Sequence, residues 1–305
     1  MNSVANKSPN LTSHLINGIF SVKPLANFAK NRARKMIIQR AENMGIPWRE
    51  EAAKLRSQPL DTLFDRVCDR NLVYPDYYLQ SFHAYENGNL GWESATEVEV
   101  AAKSVHSQIW QDGDIEGDGK LRQSYHDVLT AQLPTVPRDI VDFGCGAGMS
   151  TFALQGIYPD AKLTGVDLSP YFLAIAYHRC QQYNKKIDWV HAPAESTGLP
   201  ESSFDLVSLC LICHELPQTA TREIFREARR LLRPNGHIAI MDMNPQSEIY
   251  ARMPMYVFTL LKVTEPYLDQ YFTLDITSEL TAAGFESPTI TRNSPRHRTV
   301  IAQVN

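Results

Sequence analysis

Cys210, Cys213 and His214 stand in the stretch SLCLICHELP at the spacing C-x-x-C-H. Two thiols and an imidazole so spaced are the attachment signal of a c-type haem. Upstream, IVDFGCGAGMS carries Gly144, Gly146 and Gly148, with Asp142 two residues before the first glycine. Glycines at that density let the backbone turn sharply and approach a ligand, with a helix N-terminus behind them. A dinucleotide fingerprint, G-x-G-x-x-G, would need glycine where this chain has Met149. The pattern is G-x-G-x-G, a weak signal alone. Asp167 adds to it, because it closes the run LTGVD 23 residues beyond Gly144. A carboxylate there can accept both hydroxyls of a ribose.

The elements that must position these residues alternate from Asp139 to Met243. DIVDF, KLTGVDL, IDWV, FDLVSLCLI and HIAIMDM read as short buried strands. MSTFALQGIY, PYFLAIAYHRCQQYN and TREIFREARRLL read as helices between them, and RPNG as a turn. Continuous apolar strands alternating with helices indicate a parallel sheet covered on both faces. Cys210 and Cys213 fall at the end of the fourth strand, where positions three apart point to opposite faces. Two thioether bonds to one haem edge are then blocked, and the thiols read as small buried hydrophobes.

With VDFGCGAG, GVDLSP, VHAPAESTGLP, SFDLVSLCLICHELP and LLRPNGHIAIMD in that order, the sequence resembles the class I S-adenosylmethionine-dependent methyltransferases. It is most similar to the small-molecule group that includes the ubiquinone- and menaquinone-biosynthesis enzymes. The resemblance covers about residues 139–243 well and the last strands more loosely. It implies an α/β, Rossmann-like, seven-stranded sheet and S-adenosylmethionine as cofactor. It implies that Gly144, Cys145, Gly146 and Gly148 line the methionine end and that Asp142 orders that loop and the amino group. By the same resemblance Asp167 holds the ribose, Leu168 lies against the adenine, Ala194 offers a backbone N–H to its rim, and Leu211 belongs to the same site. The family often has Asp before the Ala-Glu pair, to take the adenine amino group; this chain has Pro193. Recognition there falls to Glu195 or to backbone, and Glu195 fits a solvated loop carboxylate equally well. The resemblance also turns Cys210–His214 into the rim beside the transferable methyl group. His214 is the first choice of general base, with its reference pKa of about 6.5, and Glu215 or lid tyrosines stand behind it. A structural role for His214 fits as well.

Residues 1–130 read as a helical N-terminal extension and residues 131–305 as the cofactor-binding domain, with an inserted lid at about 244–273. The lid is rich in Met and Tyr, which suits an apolar acceptor with a polar handle; plain helix packing explains it too. FHAYENGNLGWE makes Tyr85 a cofactor contact or a core residue. QDGDIEGDGKLRQ spaces Asp112, Asp114, Glu116 and Asp118 like a calcium loop, but its twelfth position holds Gln123 where a bidentate Glu is needed. It reads as an exposed acidic loop, and no metal ligand is assigned. Residues 1–41 hold seven bases and no acid. In that region Leu25, Phe28, Ala29, Ala33, Met36, Ile37, Ala41 and Met44 form one helical stripe, with Lys30, Arg34 and Lys35 off it. Such a helix can rest on an anionic membrane or pack on its own core. The outer segments resemble those of uncharacterised methyltransferases from cyanobacteria and chloroplasts.

The chain has 305 residues, 43% hydrophobic, with a formal net charge of -4. That balance argues against a nucleic-acid partner. No apolar run approaches the roughly 20 residues of a spanning helix, and LINGIF is too short for a secretory core. Five cysteines, an odd number, point to free thiols in a reducing, cytoplasmic compartment, with or without peripheral membrane contact. The expectation is methyl transfer to an O or C atom of a small lipophilic quinol, phenol or acid. A non-catalytic cofactor-binding protein, and a protein or nucleic-acid methyltransferase, remain the alternatives.

Overall fold

The computed structural model describes residues 23–83, 85–110 and 113–305. A seven-stranded sheet runs in the order β3-β2-β1-β4-β5-β7-β6. Its strands are β1 Asp139–Phe143, β2 Lys162–Asp167, β3 Ile187–His191, β4 Phe204–Cys210, β5 Leu232–Met243, β6 Thr289–Arg292 and β7 His297–Gln303. The first five are parallel, and β7 joins β5 and β6 antiparallel. The strand order reverses between β1 and β4, and ligands of open α/β sheets bind outside the carboxyl ends at such a point.

Both faces are covered, as the unbroken apolar strands require. Val141, Val207 and Ile238 pack on one face with Ile224, Phe225, Ala228 and Leu231 of α8 Gln218–Leu231. Their strand neighbours Ile140, Leu206 and Ala239 pack on the other, with Leu121, Tyr125 and Leu129 of α5 Gly117–Gln132 and Leu154 of α6 Met149–Ile157. Each large side chain so buried contributes about 1.5–3 kcal/mol. Because α5 belongs to this covering layer, the boundary expected near residue 130 falls inside an element of the sheet's own core. Cys210 packs in the second layer and Cys213 in the first. They do lie on opposite sides, though for a different reason than expected. The strand stops at Cys210, Leu211 takes a left-handed φ of 62°, and Cys213–Glu215 forms a 3-10 turn. RPNG is absorbed into β5 instead of forming a separate turn.

The remaining helices are α1 Lys23–Asn43, α2 Trp48–Arg56, α3 Leu60–Val67, α4 Trp92–His106, α7 Pro170–Gln182, α9 Glu248–Arg252, α10 Met255–Thr264, α11 Leu268–Thr273 and α12 Ile276–Ala282. Of the stripe expected on α1, the side chains of Leu25, Phe28, Ala29, Ala33 and Lys30 lie outside the described residues, as does Asp112. Among the rest the stripe is misplaced. Ile38 and Ala41 are buried against Ile46, Trp48 and Val100, while Met36 is 64% exposed and Ile37 is exposed as well. Arg34 turns inward, pairs with Glu93 and Glu97, and lies over the Tyr85 ring. Those three groups fix the rotation of the helix. No helix among the described residues is long and apolar enough to cross a membrane.

Candidate active site

After β1 the chain turns through Gly144 and Gly146, both at positive φ, into Gly148, the left-handed residue before α6. A Cβ on Gly144 would lie 2.6 Å from the side chain of Ile212, so the segment leaving β4 presses on the loop. A Cβ on Gly146 would meet nothing nearer than 3.9 Å; this is the open side of the turn. Cys145 is buried, its N–H given to the Val166 carbonyl at 3.1 Å.

Asp142 and Asp167 brace this loop from two strands. Asp142 is 1% exposed, and its Oδ2 accepts from the hydroxyls of Ser150 at 2.6 Å and Thr151 at 2.7 Å. Its Oδ1 is buried without a hydrogen-bond partner. Burial raises the Asp142 pKa, and the hydroxyls of Ser150, Thr151 and Ser208, with the Arg122 charge, oppose the rise. An unsatisfied oxygen of this kind costs about 1–3 kcal/mol until a donor arrives. Asp167 Oδ2 accepts from the Gly146 N–H at 2.8 Å and Oδ1 from the Ser169 N–H at 2.7 Å. Burial pushes it up to about 6; the two N–H groups pull against that, and Glu215 and Asp142 add to it. Ser169 also caps α7, with Pro170 in its first turn.

The N-terminal extension reaches into this half of the site. The Asp69 N–H donates to His191 Nδ1 at 2.9 Å, which leaves Nε2 to donate to the Leu168 carbonyl at 3.0 Å. Tyr77, in the 3-10 turn Asp76–Leu79, donates its hydroxyl to Glu195 Oε1 at 2.6 Å. Glu195 Oε2 is buried with no partner, so the residue is a held carboxylate and not a solvated one. Ala194 beside it is buried. Tyr78 lies near enough to Asp167 and Glu215 for both, after burial, to raise its pKa.

The acceptor half gathers at the end of β4. His214 Nδ1 lies 2.7 Å from Asp242 Oδ1, and the His214 N–H donates to Asp242 Oδ2 at 3.2 Å. Asp242 is 1% exposed. Burial pulls the His214 pKa down, but Asp242, Glu265 and Glu215 overcome it and hold the ring at about 10. This corrects the expectation of a free imidazole titrating near 6.5, because the ring carries its proton as the partner of a buried carboxylate. Glu215 lies 3.3 Å from His83 Nε2, and Glu265 lies 3.1 Å from the same nitrogen. Burial raises Glu215, and His83 opposes the rise. His83 is held up at about 9 by Glu265 and Glu215 against burial.

Tyr85 is not at this site. It is buried, and its hydroxyl donates to Glu97 Oε2 at 2.8 Å, within the contact that binds α1 to α4. Nor is the acidic stretch wholly exposed: Asp118 is buried between His106 Nδ1 at 2.7 Å and Arg122 Nε at 3.0 Å. Asp242, Tyr77, Tyr78, His83 and Glu265 were not found in the sequence. Asp242 had a signal, a carboxylate closing an apolar strand beside the switch point. The others come from loops whose placement over the sheet no local pattern encodes.

Residues 140–236 match a family described as a methyltransferase domain. Malonyl-[acyl-carrier protein] O-methyltransferase of Hahella chejuensis is 38% identical over 113 residues, 36% of this chain and 38% of that protein. An uncharacterised methyltransferase of Synechocystis is 29% identical over 164 residues, covering 53% of this chain and 74% of its own length. The chain thus spans about two fifths of the first relative and about three quarters of the second. Among solved structures, a putative O-methyltransferase from Nostoc punctiforme superposes with a TM-score of 0.53 at 13% identity, covering 83% of this chain and 72% of that one. This last likeness is one of fold.

Proposed function

Residues 140–236 being a methyltransferase domain on a class I sheet, we propose that the chain transfers the methyl group of S-adenosylmethionine to an oxygen or carbon of a small, apolar acceptor. The observation that carries this reading is the partnerless Asp142 Oδ1, buried beside the glycine turn. The donor set fits the cofactor. Asp142 Oδ1 would accept from its amino group, and the N-terminus of α6 would face its carboxylate. Asp167 would take the ribose hydroxyls, and Glu195 Oε2, steadied by Tyr77, would take the adenine amino group that the family's missing Asp otherwise holds. When bound, the cofactor supplies an electrophilic methyl on a sulfonium.

This chain's own residues then align and hold. Asp242 fixes the His214 ring through Nδ1, leaving Nε2 for an acceptor oxygen. With the acceptor held in line, its lone pair would take the methyl group and the sulfur would keep the electrons of the bond it loses. A carboxylic acid arrives ionised and has no proton to lose. A phenol or quinol gives its proton to the carboxylate of Glu215. Alignment of this kind contributes about 7–11 kcal/mol. In this reading the Met- and Tyr-bearing segment at about 244–273 is the lid; Gln80 Nε2 donates to its Tyr267 hydroxyl at 2.9 Å. The same reading includes peripheral contact with anionic lipid through exposed Met36 and Ile37, flanked by exposed Arg32, Lys35 and Arg40.

Methyl-deuterated S-adenosylmethionine, incubated with the chain and small-molecule extracts, tests the reaction. Mass spectrometry should find a product heavier by one labelled methyl group. Label appearing only in protein or nucleic acid would overturn the acceptor class.

A further inference from the structure

His83, Glu215 and Glu265 come from three distant parts of the chain. His83 stands in the loop before α4, Glu215 in the 3-10 turn after β4, and Glu265 at the end of α10 in the lid. Their ligand atoms all lie within 4.8 Å of one another. His83 Nε2 is 3.3 Å from Glu215 Oε1 and 3.1 Å from Glu265 Oε1. Ligands at about 2.1 Å from a cation stand roughly 3.0 Å apart at right angles and roughly 3.4 Å apart in a tetrahedron. The two separations, 3.3 and 3.1 Å, lie between those edge lengths. A second observation points the same way: Glu265 Oε2 is buried without a hydrogen-bond partner, although the imidazole already lies against Oε1. The His83 N–H donates to the Thr264 carbonyl at 3.0 Å, and His83 holds a left-handed φ of 50°. The imidazole is thereby fixed beside Glu265 by its own backbone.

We propose that His83, Glu215 and Glu265 bind one divalent cation at the acceptor end of the site, joining the N-terminal extension, the sheet and the lid. Once the ion displaces the proton that the carboxylates hold on His83, one imidazole and two carboxylates form a borderline-hard set suited to Mn(II) or Zn(II), and they leave positions open. Glu215 shares its 3-10 turn with His214, so the ion would stand at the acceptor end, hold Glu215 through Oε1 and leave Oε2 to take the acceptor's proton. That role rests on the methyl-transfer reading; the binding of the ion does not.

Full-length protein, freed of metal with a chelator, should be titrated with Mn(II) alone and followed by electron paramagnetic resonance. One ion per chain is expected, with a nitrogen hyperfine coupling in pulsed spectra. His83→Asn should abolish the coupling, and Glu265→Gln should weaken binding about tenfold or more. Both variants should keep the circular dichroism and the S-adenosylhomocysteine affinity of the parent. A parent that binds neither Mn(II) nor Zn(II) stoichiometrically overturns the proposal, as do variants that bind as the parent does. Failure of S-adenosylhomocysteine to bind the parent would instead strike the methyl-transfer reading and leave the metal titration readable.

Discussion

Asp167 bears two kinds of work at once. It fixes the loop by accepting from Gly146 and Ser169, and it stands where ribose hydroxyls would reach it. Replacing it with Ala removes hydrogen bonds to a charged acceptor, each about 1.5–3 kcal/mol. S-adenosylhomocysteine affinity measured by calorimetry should therefore fall at least tenfold. Because the folded carboxyl titrates at about 6, affinity should be full above that pH and weaken as pH drops through it, when the charge is lost. His214 is tested by the opposite pattern. His214→Ala removes one hydrogen-bond donor to the acceptor oxygen and should lower turnover by about 10²–10³-fold with cofactor affinity nearly unchanged. Turnover and affinity falling together would make it a structural residue. The placement of the glycines, Asp142 and Asp167 beside the ends of β1 and β2 was legible in the sequence, because strand ends show in the hydrophobic pattern. Asp242 was missed because its partner, His214, lies 28 residues away in the 3-10 turn after β4. Tyr85 could be read as cover or as core, because an aromatic among polar residues fits both, and it is buried as core.

At the scale of elements, α4 and α5 are joined by a buried charge cluster. Asp118 is held well below the usual carboxylate range; burial opposes ionisation, but Arg122 and His106 outweigh it. A folded pKa below the unfolded value gives stability that is present above about 3.9 and lost as pH falls. Asp118→Ala leaves Arg122 buried and unpaired, and urea unfolding should register a loss of about 3–5 kcal/mol. His297, at the start of β7, works on another pH window. Burial lowers it to about 3, aided by the nearby His106, and its Nδ1 meets Ser294 Oγ at 2.8 Å. Unfolded chains take up that proton below about 6.5, so stability should decline between there and pH 3 by up to ~1.4 kcal/mol per unit. His297→Gln should flatten that slope. Almost every strand and helix of the sheet was legible, since period and length are local properties. The rotation of α1 was not. Its apolar residues allow more than one stripe, and Tyr85, Glu93 and Glu97, about 50–65 residues beyond Arg34, choose between them.

For the whole molecule, residues before the sheet pack against the candidate site. His191 and Glu195 are each held by a residue of segment 69–77, and His83 meets both Glu215, in the turn after β4, and Glu265, after α10. Removing residues 1–44 takes Ile38 and Ala41 from their cluster and Arg34 from its pairs. The truncated chain should melt several degrees lower, since about 1 kcal/mol shifts a large domain by roughly 2–4 °C. Lipid contact is tested separately by Met36→Glu with Ile37→Glu. The double variant should keep its melting temperature and lose sedimentation with anionic vesicles at low salt. Parent protein that never sediments removes the membrane from the account.

The central claim is that the β1 turn with Asp142 and Asp167 holds S-adenosylmethionine. Calorimetry of the full chain with S-adenosylhomocysteine and with NAD tests it most directly. The account predicts saturable binding of S-adenosylhomocysteine at one site per chain, weakened by Asp142→Asn, and no heat from NAD. Binding of NAD, or no binding of S-adenosylhomocysteine by folded protein, would contradict it.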